Sequence, residues 1–368
     1  MGGDSPPAYL RDSFVESSLQ NTQDDPVLPS EEAPRQRRTT RNVLLGFLAL
    51  FVVAAVVAGF FVFNLAHSFD SKSQKIDQAF PAESLRPTKP TTGAGANATN
   101  ILVLGSDSRG ASLNTAEQGG ASDQRSDTMM MVHVPADHKN VYAMSIMRDT
   151  WVSIPGHGEA KINAAMAFGG VPLVVQTLEG MFDTRIDHVM IVDFEGFKSI
   201  TDAVGGVQVN NPATFQSSFL KGHTFERGLQ TLSGEQALAF VRERYAFADG
   251  DYQRVKNQQL FLKAVLAKVL TPSTLTNPVT VSNLVGKFSP FVSVDKGFNA
   301  AAIAGLAVEL KDIRPANFKT FTLPNLGTGT SADGQSIVIN DAKTVKEIAE
   351  AMKDDQLASY LDVHGLVH

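Results

Sequence analysis

Four short segments place aspartate or arginine where apolar runs begin or end. They are Gly105-Ser106-Asp107, Arg125-Ser126-Asp127-Thr128, Arg148-Asp149, and Arg242-Glu243-Arg244 followed by Arg254. A guanidinium is a planar fork that matches two phosphate oxygens at once. A pair of converging carboxylates is a hard oxygen site suited to Mg²⁺, with Mn²⁺ as the alternative, and such an ion completes its shell with phosphate oxygens and water. Each segment alone reads as a surface ion pair of small worth. Together they describe a grip for a diphosphate held by a divalent cation and several arginines.

The spacing constrains the local structure. Arg242 and Arg244 are two apart, so on a helix their side chains diverge by about 200°, whereas in an extended segment they share a face. If both hold one ligand, the helix must end near Arg242. Asp251, Arg254 and Gln258 are spaced by three and four and so line one helical stripe. Other chemistries find no support. The chain has no cysteine, which excludes disulfides, thiolate catalysis and cysteine-bound metals. No G-x-S-x-G elbow and no G-x-x-x-x-G-K-[ST] loop occurs. The net charge of -6 argues against a nucleic-acid partner.

The elements that position these residues read as α/β. Ile101–Leu104, Thr128–Val134, Val141–Met147 and Ile186–Phe194 are short apolar runs that suit strands covered on both faces. Phe318–Leu323 and Ser336–Ile339 read the same way. Helices are expected at Val171–Phe182, Phe194–Val204, Gln236–Val241 with Ser233 as N-cap, Asp251–Leu270, Gly297–Leu310 and Ala342–Met352. The sum is a single α-β-α domain with a mixed central sheet.

Val43–Phe63 is an uncharged run of 21 residues, about 30 Å as a helix, the hydrocarbon thickness of a bilayer. Arg35, Arg37, Arg38 and Arg41 precede it, so the positive-inside rule places residues 1–41 in the cytoplasm and the α/β domain outside. The expected organisation is a disordered cytoplasmic tail (1–41), one transmembrane helix (42–64), a Pro- and Gly-containing extracytoplasmic linker (65–99) and a domain over 100–368. The expected topology is that of a single-pass membrane protein.

In order and spacing these pieces resemble the LytR–CpsA–Psr family of bacterial cell-wall enzymes, best over 100–270. The resemblance is carried by Ile101-Leu102-Val103-Leu104-Gly105-Ser106-Asp107, Arg125-Ser126-Asp127-Thr128-Met129-Met130, Ser145-Ile146-Met147-Arg148-Asp149 and Ile154-Pro155-Gly156. It continues through Lys161-Ile162-Asn163-Ala164-Ala165, Ile186-Asp187-His188, Gly205-Gly206-Val207, and Arg242-Glu243-Arg244 with Asp251, Arg254 and Gln258-Gln259. The resemblance implies a transferase that moves a glycopolymer from a polyprenyl-diphosphate carrier to a peptidoglycan hydroxyl, forming a phosphodiester. It further implies Asp107 and Asp127 as Mg²⁺ ligands, and Arg125, Arg148, Arg242, Arg244, Arg254 and Gln258 as phosphate-binding groups. Arg148 and Asp127 are then the catalytic pair. Three positions depart from the family pattern: Met147 for a common proline, Met166 for a common tyrosine and Asn257 for a common basic residue. The first two touch packing; the third removes one phosphate contact. The same residues also suit a module that binds polyprenyl phosphate or an anionic polymer without turnover, or a hydrolase of the lipid diphosphate.

Overall fold

The computed structural model describes residues 36–106 and 126–367; side chains are described from Leu50 onward, apart from those of Ala94, Ser126, Asp127, Pro272 and Leu275. The chain divides into two compact units, residues 1–58 and 59–368. α1 (Gln36–Lys72) forms the described part of the first and opens the second. Its segment Leu50–Lys72 is long and apolar enough to cross a membrane, and its most apolar window is not buried against the described residues. The helix runs eight residues past the expected end of the span at residue 64.

The second unit proceeds through β1 (Gln74–Ile76), β2 (Thr99–Ser106), β3 (Ser126–Val134) and β4 (Val141–Ile146). A hairpin of β5 (Thr150–Ile154) and β6 (Gly158–Lys161) leads into α2 (Ala164–Phe182). β7 (His188–Asp193) and α3 (Phe194–Ala203) precede four short strands, β8 (Val207–Asn211), β9 (Phe215–Gln216), β10 (Thr224–Phe225) and β11 (Gly228–Leu232). Next come α4 (Gly234–Arg242), α5 (Asp251–Val269), α6 (Pro272–Leu275), α7 (Pro278–Phe288), β12 (Val292–Asp295) and α8 (Ala300–Glu309). β13 (Phe318–Thr322), β14 (Asn325–Thr330), β15 (Ser336–Asn340), α9 (Ala342–Lys353) and α10 (Leu357–Val363) follow.

A seven-stranded sheet in the order β1-β12-β7-β2-β3-β4-β13 forms the centre. β2 is parallel to β7 and antiparallel to β3, so the sheet is mixed, as expected. Alternate residues of a strand face opposite layers. Leu102, Leu104, Met129, Met131, Met144 and Ile191 pack against Val174, Leu178 and Phe182 of α2 and Ile348 and Met352 of α9. Ile101, Val292 and Val294 meet Phe298 and, in α8, Ile303 and Leu306 on the other face. On that second face Val103, Val132 and Met190 are only half-buried although they sit on central strands. A smaller sheet, β14-β15-β5-β6, adjoins the first. α2 is as apolar as a membrane span for a different reason: most of it is core.

The segment expected as a linker is built into this unit. β1 pairs in parallel with β12. Arg86 places its guanidinium against Glu179 of α2, Nη2 to Oε1 at 2.6 Å, and donates to the Ile186 carbonyl; the same carboxylate accepts the Ile186 N–H at 2.9 Å. Both side chains are nearly fully buried. Pro and Gly made this stretch look like a tether, because composition carries no sign of a partner some 90 residues away. Removing one member of a buried pair strands the other's charge. Arg86→Ala is expected to cost about 3–5 kcal/mol, read as a lowered midpoint of urea unfolding at unchanged slope.

Candidate active site

Arg148 and Asp149 lie in the three-residue step between β4 and β5. Just before them, Met147 is buried against Val255 of α5 and Val338 of β15, which fixes this step relative to α5. The backbone of the step is closed by Asn163 N–H donating to the Arg148 carbonyl at 3.1 Å and Thr150 N–H to that of Met147 at 3.0 Å. From there the Arg148 Nε lies 3.4 Å from Oδ2 of Asp251, the first residue of α5, and 3.7 Å from Asp149 Oδ2. Arg254, one turn along α5, brings Nη2 to 2.9 Å from the same Asp251 oxygen. Arg244 reaches the other oxygen at 3.6 Å. Lys161 of β6 stands 3.5 Å from Asp149 Oδ1. Four cations thus surround two carboxylates in a partly buried hollow, an arrangement that attracts a further anion.

The Arg242–Arg244 segment is shaped as its spacing required. Ser233 and Gln236 form a capping box at the start of α4, and the helix ends at Arg242 with Glu243 already extended. Glu243 is fully buried. Its Oε1 accepts the N–H groups of Arg244, Tyr245 and Ala246, and its Oε2 that of Ser218 at 2.6 Å. Arg242 lies between the rings of Phe194 and Phe219, 4.5 and 4.7 Å from their centroids. Burial acts to lower the Arg244 pKa, but the Tyr245 hydroxyl and Asp251 outweigh it and the net shift is upward. Arg244 therefore stays charged at any working pH.

Residues 60–354 of this chain match the LytR_cpsA_psr family. The chain belongs to the LytR–CpsA–Psr family. It is 29% identical over 315 residues to the polyisoprenyl-teichoic acid–peptidoglycan teichoic acid transferase TagU of Enterococcus faecalis, covering 85% of this chain and 95% of that one. It is 32% identical over 327 residues to the probable cell wall biosynthesis protein LcpB of Corynebacterium glutamicum, covering 85% and 75%. The crystal structure of B. subtilis TagV has the same fold, with a TM-score of 0.58 and 24% identity over 71% of this chain and 98% of TagV. The family match extends beyond 100–270 on both sides, taking in the end of α1 and β1.

In this LytR–CpsA–Psr protein the described site residues fall into two groups. Arg148, Arg244 and Arg254 meet at Asp251, while Arg242 is held by its ring stack. Gln258 donates to Thr128 Oγ1 at 3.0 Å and so ties α5 to the start of β3. Gly105 is directly opposite Thr128, where a Cβ would stand 2.9 Å from the Thr128 Cβ; glycine is needed for this close approach. Asp107 and Arg125 lie outside the described residues, as does the side chain of Asp127. Met166 is core, as its packing role implied. Asn257 corrects the expectation for its position: it is fully buried and donates to the Phe240 carbonyl at 3.1 Å, stitching α5 to α4. On a helix the residue beside Gln258 points about 100° away from it, so Asn257 faces the protein.

The sequence reading missed Asp251 as the hub, Lys161 as the partner of Asp149, and Glu243 as the anchor of the arginine loop. Glu243 carried a signal, since an acid flanked by two arginines that must diverge from a helix is well placed to cap the exit. Glu243→Ala removes four backbone acceptor contacts. It is expected to weaken pyrophosphate binding about tenfold or more, measured by titration calorimetry on the full-length protein in detergent.

Proposed function

We propose that this protein is a membrane-anchored phosphotransferase that moves a glycopolymer from a polyprenyl-diphosphate carrier to a hydroxyl of peptidoglycan, with residues 1–41 in the cytoplasm and the α/β domain outside. The observation that carries this reading is the convergence of Arg148, Arg244 and Arg254 on one carboxylate, that of Asp251 at the start of α5. Support comes from membership of a family in which a relative similar over 85% of this chain is named a teichoic acid transferase. In the reaction the acceptor oxygen bonds to the phosphorus that carries the glycan, the bridging P–O bond breaks, and polyprenyl monophosphate leaves. Such transfers depend on positioning and charge stabilisation rather than on a covalent intermediate. Arg148, Arg244 and Arg254 bind the diphosphate oxygens, with Arg148 on the transferring phosphoryl group. Asp251 holds three guanidiniums, with Arg254 as near as 2.9 Å, whereas Asp149 meets Lys161 at 3.5 Å and Arg148 at 3.7 Å. Among the described carboxylates Asp149 is therefore the one we assign to take the acceptor's proton.

Asp107 and Asp127 fit a Mg²⁺ site by their chemistry. Ser106 pairs with Ser126, so β2 ends where β3 begins, and the two aspartates follow these paired residues in sequence. Carboxylate and phosphate oxygens are the donor set Mg²⁺ prefers, and the bound ion would neutralise diphosphate charge. We assign the polyprenyl chain to the half-buried face of the sheet at Val103, Val132 and Met190, which clusters with Ile303 and Leu306 of α8. Arg148→Ala is expected to leave binding of the lipid-linked donor nearly unchanged and to lower kcat by about 10²–10³, in an assay with purified full-length protein, donor, peptidoglycan oligosaccharides and Mg²⁺. Equal loss of binding and turnover would reduce Arg148 to a ground-state contact, and full activity in chelator would remove the metal.

A further inference from the structure

The β5–β6 hairpin carries the one tryptophan of the chain. Trp151 is paired directly with Lys161, Ser153 with Glu159, and Trp151 with Ile339 of β15. Paired residues project to the same side of a sheet, so these five share a face. The opposite side, with Val152 and Ile154, enters the core. The shared face is open: Trp151 is partly exposed, Ser153 and Glu159 are exposed, and Ile339 is 37% exposed. Ile339 lies close over Gly329, where a Cβ would come within 2.9 Å of its Cδ1. The indole N–H donates to Glu159 Oε2 at 3.0 Å, which fixes ring and carboxylate together. Lys161 links this face to the reaction centre through Asp149 at 3.5 Å.

An indole beside a carboxylate and an ammonium is the chemistry that recognises a sugar. The C–H face of a pyranose lies on the ring and its hydroxyls meet the charged rim. Two saccharides concern this protein, the donor's and the acceptor's. In-line transfer puts the entering and leaving oxygens on opposite sides of phosphorus. Arg148 lies 3.4 Å from Asp251 of α5 and 3.7 Å from Asp149, and in the transfer reading the lipid phosphate belongs with Arg244 and Arg254. The hairpin lies on the other side. We propose that the Trp151 face is the acceptor subsite, where a sugar of the peptidoglycan glycan chain stacks on Trp151, binds Glu159 and Lys161, and so brings the accepting hydroxyl to Asp149 and Arg148. This rests on the transfer reading given above.

The single tryptophan makes the test direct. Full-length protein in nanodiscs is titrated with uncross-linked peptidoglycan oligosaccharides, and separately with lipid-linked glycan donor, while tryptophan emission is followed. The acceptor is expected to change the emission saturably and the donor to leave it nearly unchanged. In the transfer assay Trp151→Ala and Glu159→Gln are each expected to raise the acceptor KM about tenfold, with donor KM and kcat within about twofold; Trp151→Phe should recover most of the loss. Should Trp151→Ala fail to fold, Glu159→Gln and Trp151→Phe carry the test. An emission unchanged by acceptor at concentrations that saturate transfer overturns the proposal, and so does a rise in donor KM instead. An emission change with acceptor but no phosphodiester product would sustain this subsite while removing the transfer reading.

Discussion

Three guanidinium groups cannot stay within reach of one another unless a counter-charge holds them, and here that charge is the carboxylate of Asp251. Arg148 and Arg254 meet one of its oxygens and Arg244 the other. Much of the surrounding structure serves to bring these four side chains together. Met147, Val255 and Val338 lock the end of β4 against α5. The end of α4 at Arg242 and the buried Glu243 present Arg244. Helical spacing alone supplies Arg254, one turn from Asp251. A bound diphosphate would find the cluster already assembled, which is the preorganisation that phosphoryl transfer requires.

The two faces of the central sheet are finished differently. Against α2 and α9 the packing is dense and almost wholly apolar. Against α5, α7 and α8 it is looser: Val103, Val132 and Met190 keep partial exposure, and polar contacts such as Gln259 to Ser145 and Thr322 cross the layer. A partly exposed apolar face beside a cationic cluster suits an amphiphile with a charged head and an apolar tail. The apolar stretch of α1 is long enough to cross the bilayer from which such a molecule would come.

Much of this was legible in the residues themselves. Short apolar runs ending at Gly105, Met147 and Phe194 marked the strands, because runs of that length fit a covered sheet. The divergence of Arg242 and Arg244 on a helix placed the end of α4 correctly. What stayed hidden depends on distant partners. The β5–β6 hairpin was missed because its alternation is brief and Gly156 and Gly158 turn it so tightly. Arg86 lay in a stretch of loop composition, with nothing local to announce Glu179. Asn257 was taken for a lost phosphate contact, when the helix turns it toward the Phe240 carbonyl. Asp251 was legible as one of a stripe, but its position as hub needs Arg148 and Arg244 to arrive from other elements.

If the cluster is a transfer site, the glycan-bearing phosphorus must pass intact from one oxygen to another. Phosphorus NMR of the purified full-length protein acting on a polyprenyl-diphosphate-linked glycan, with peptidoglycan oligosaccharides present, observes that event. The account predicts that the diphosphate signals give way to one phosphodiester and one polyprenyl monophosphate in equal amounts. A phosphate-ended glycan in place of the diester, or diphosphate signals that persist while the donor is bound, would contradict it.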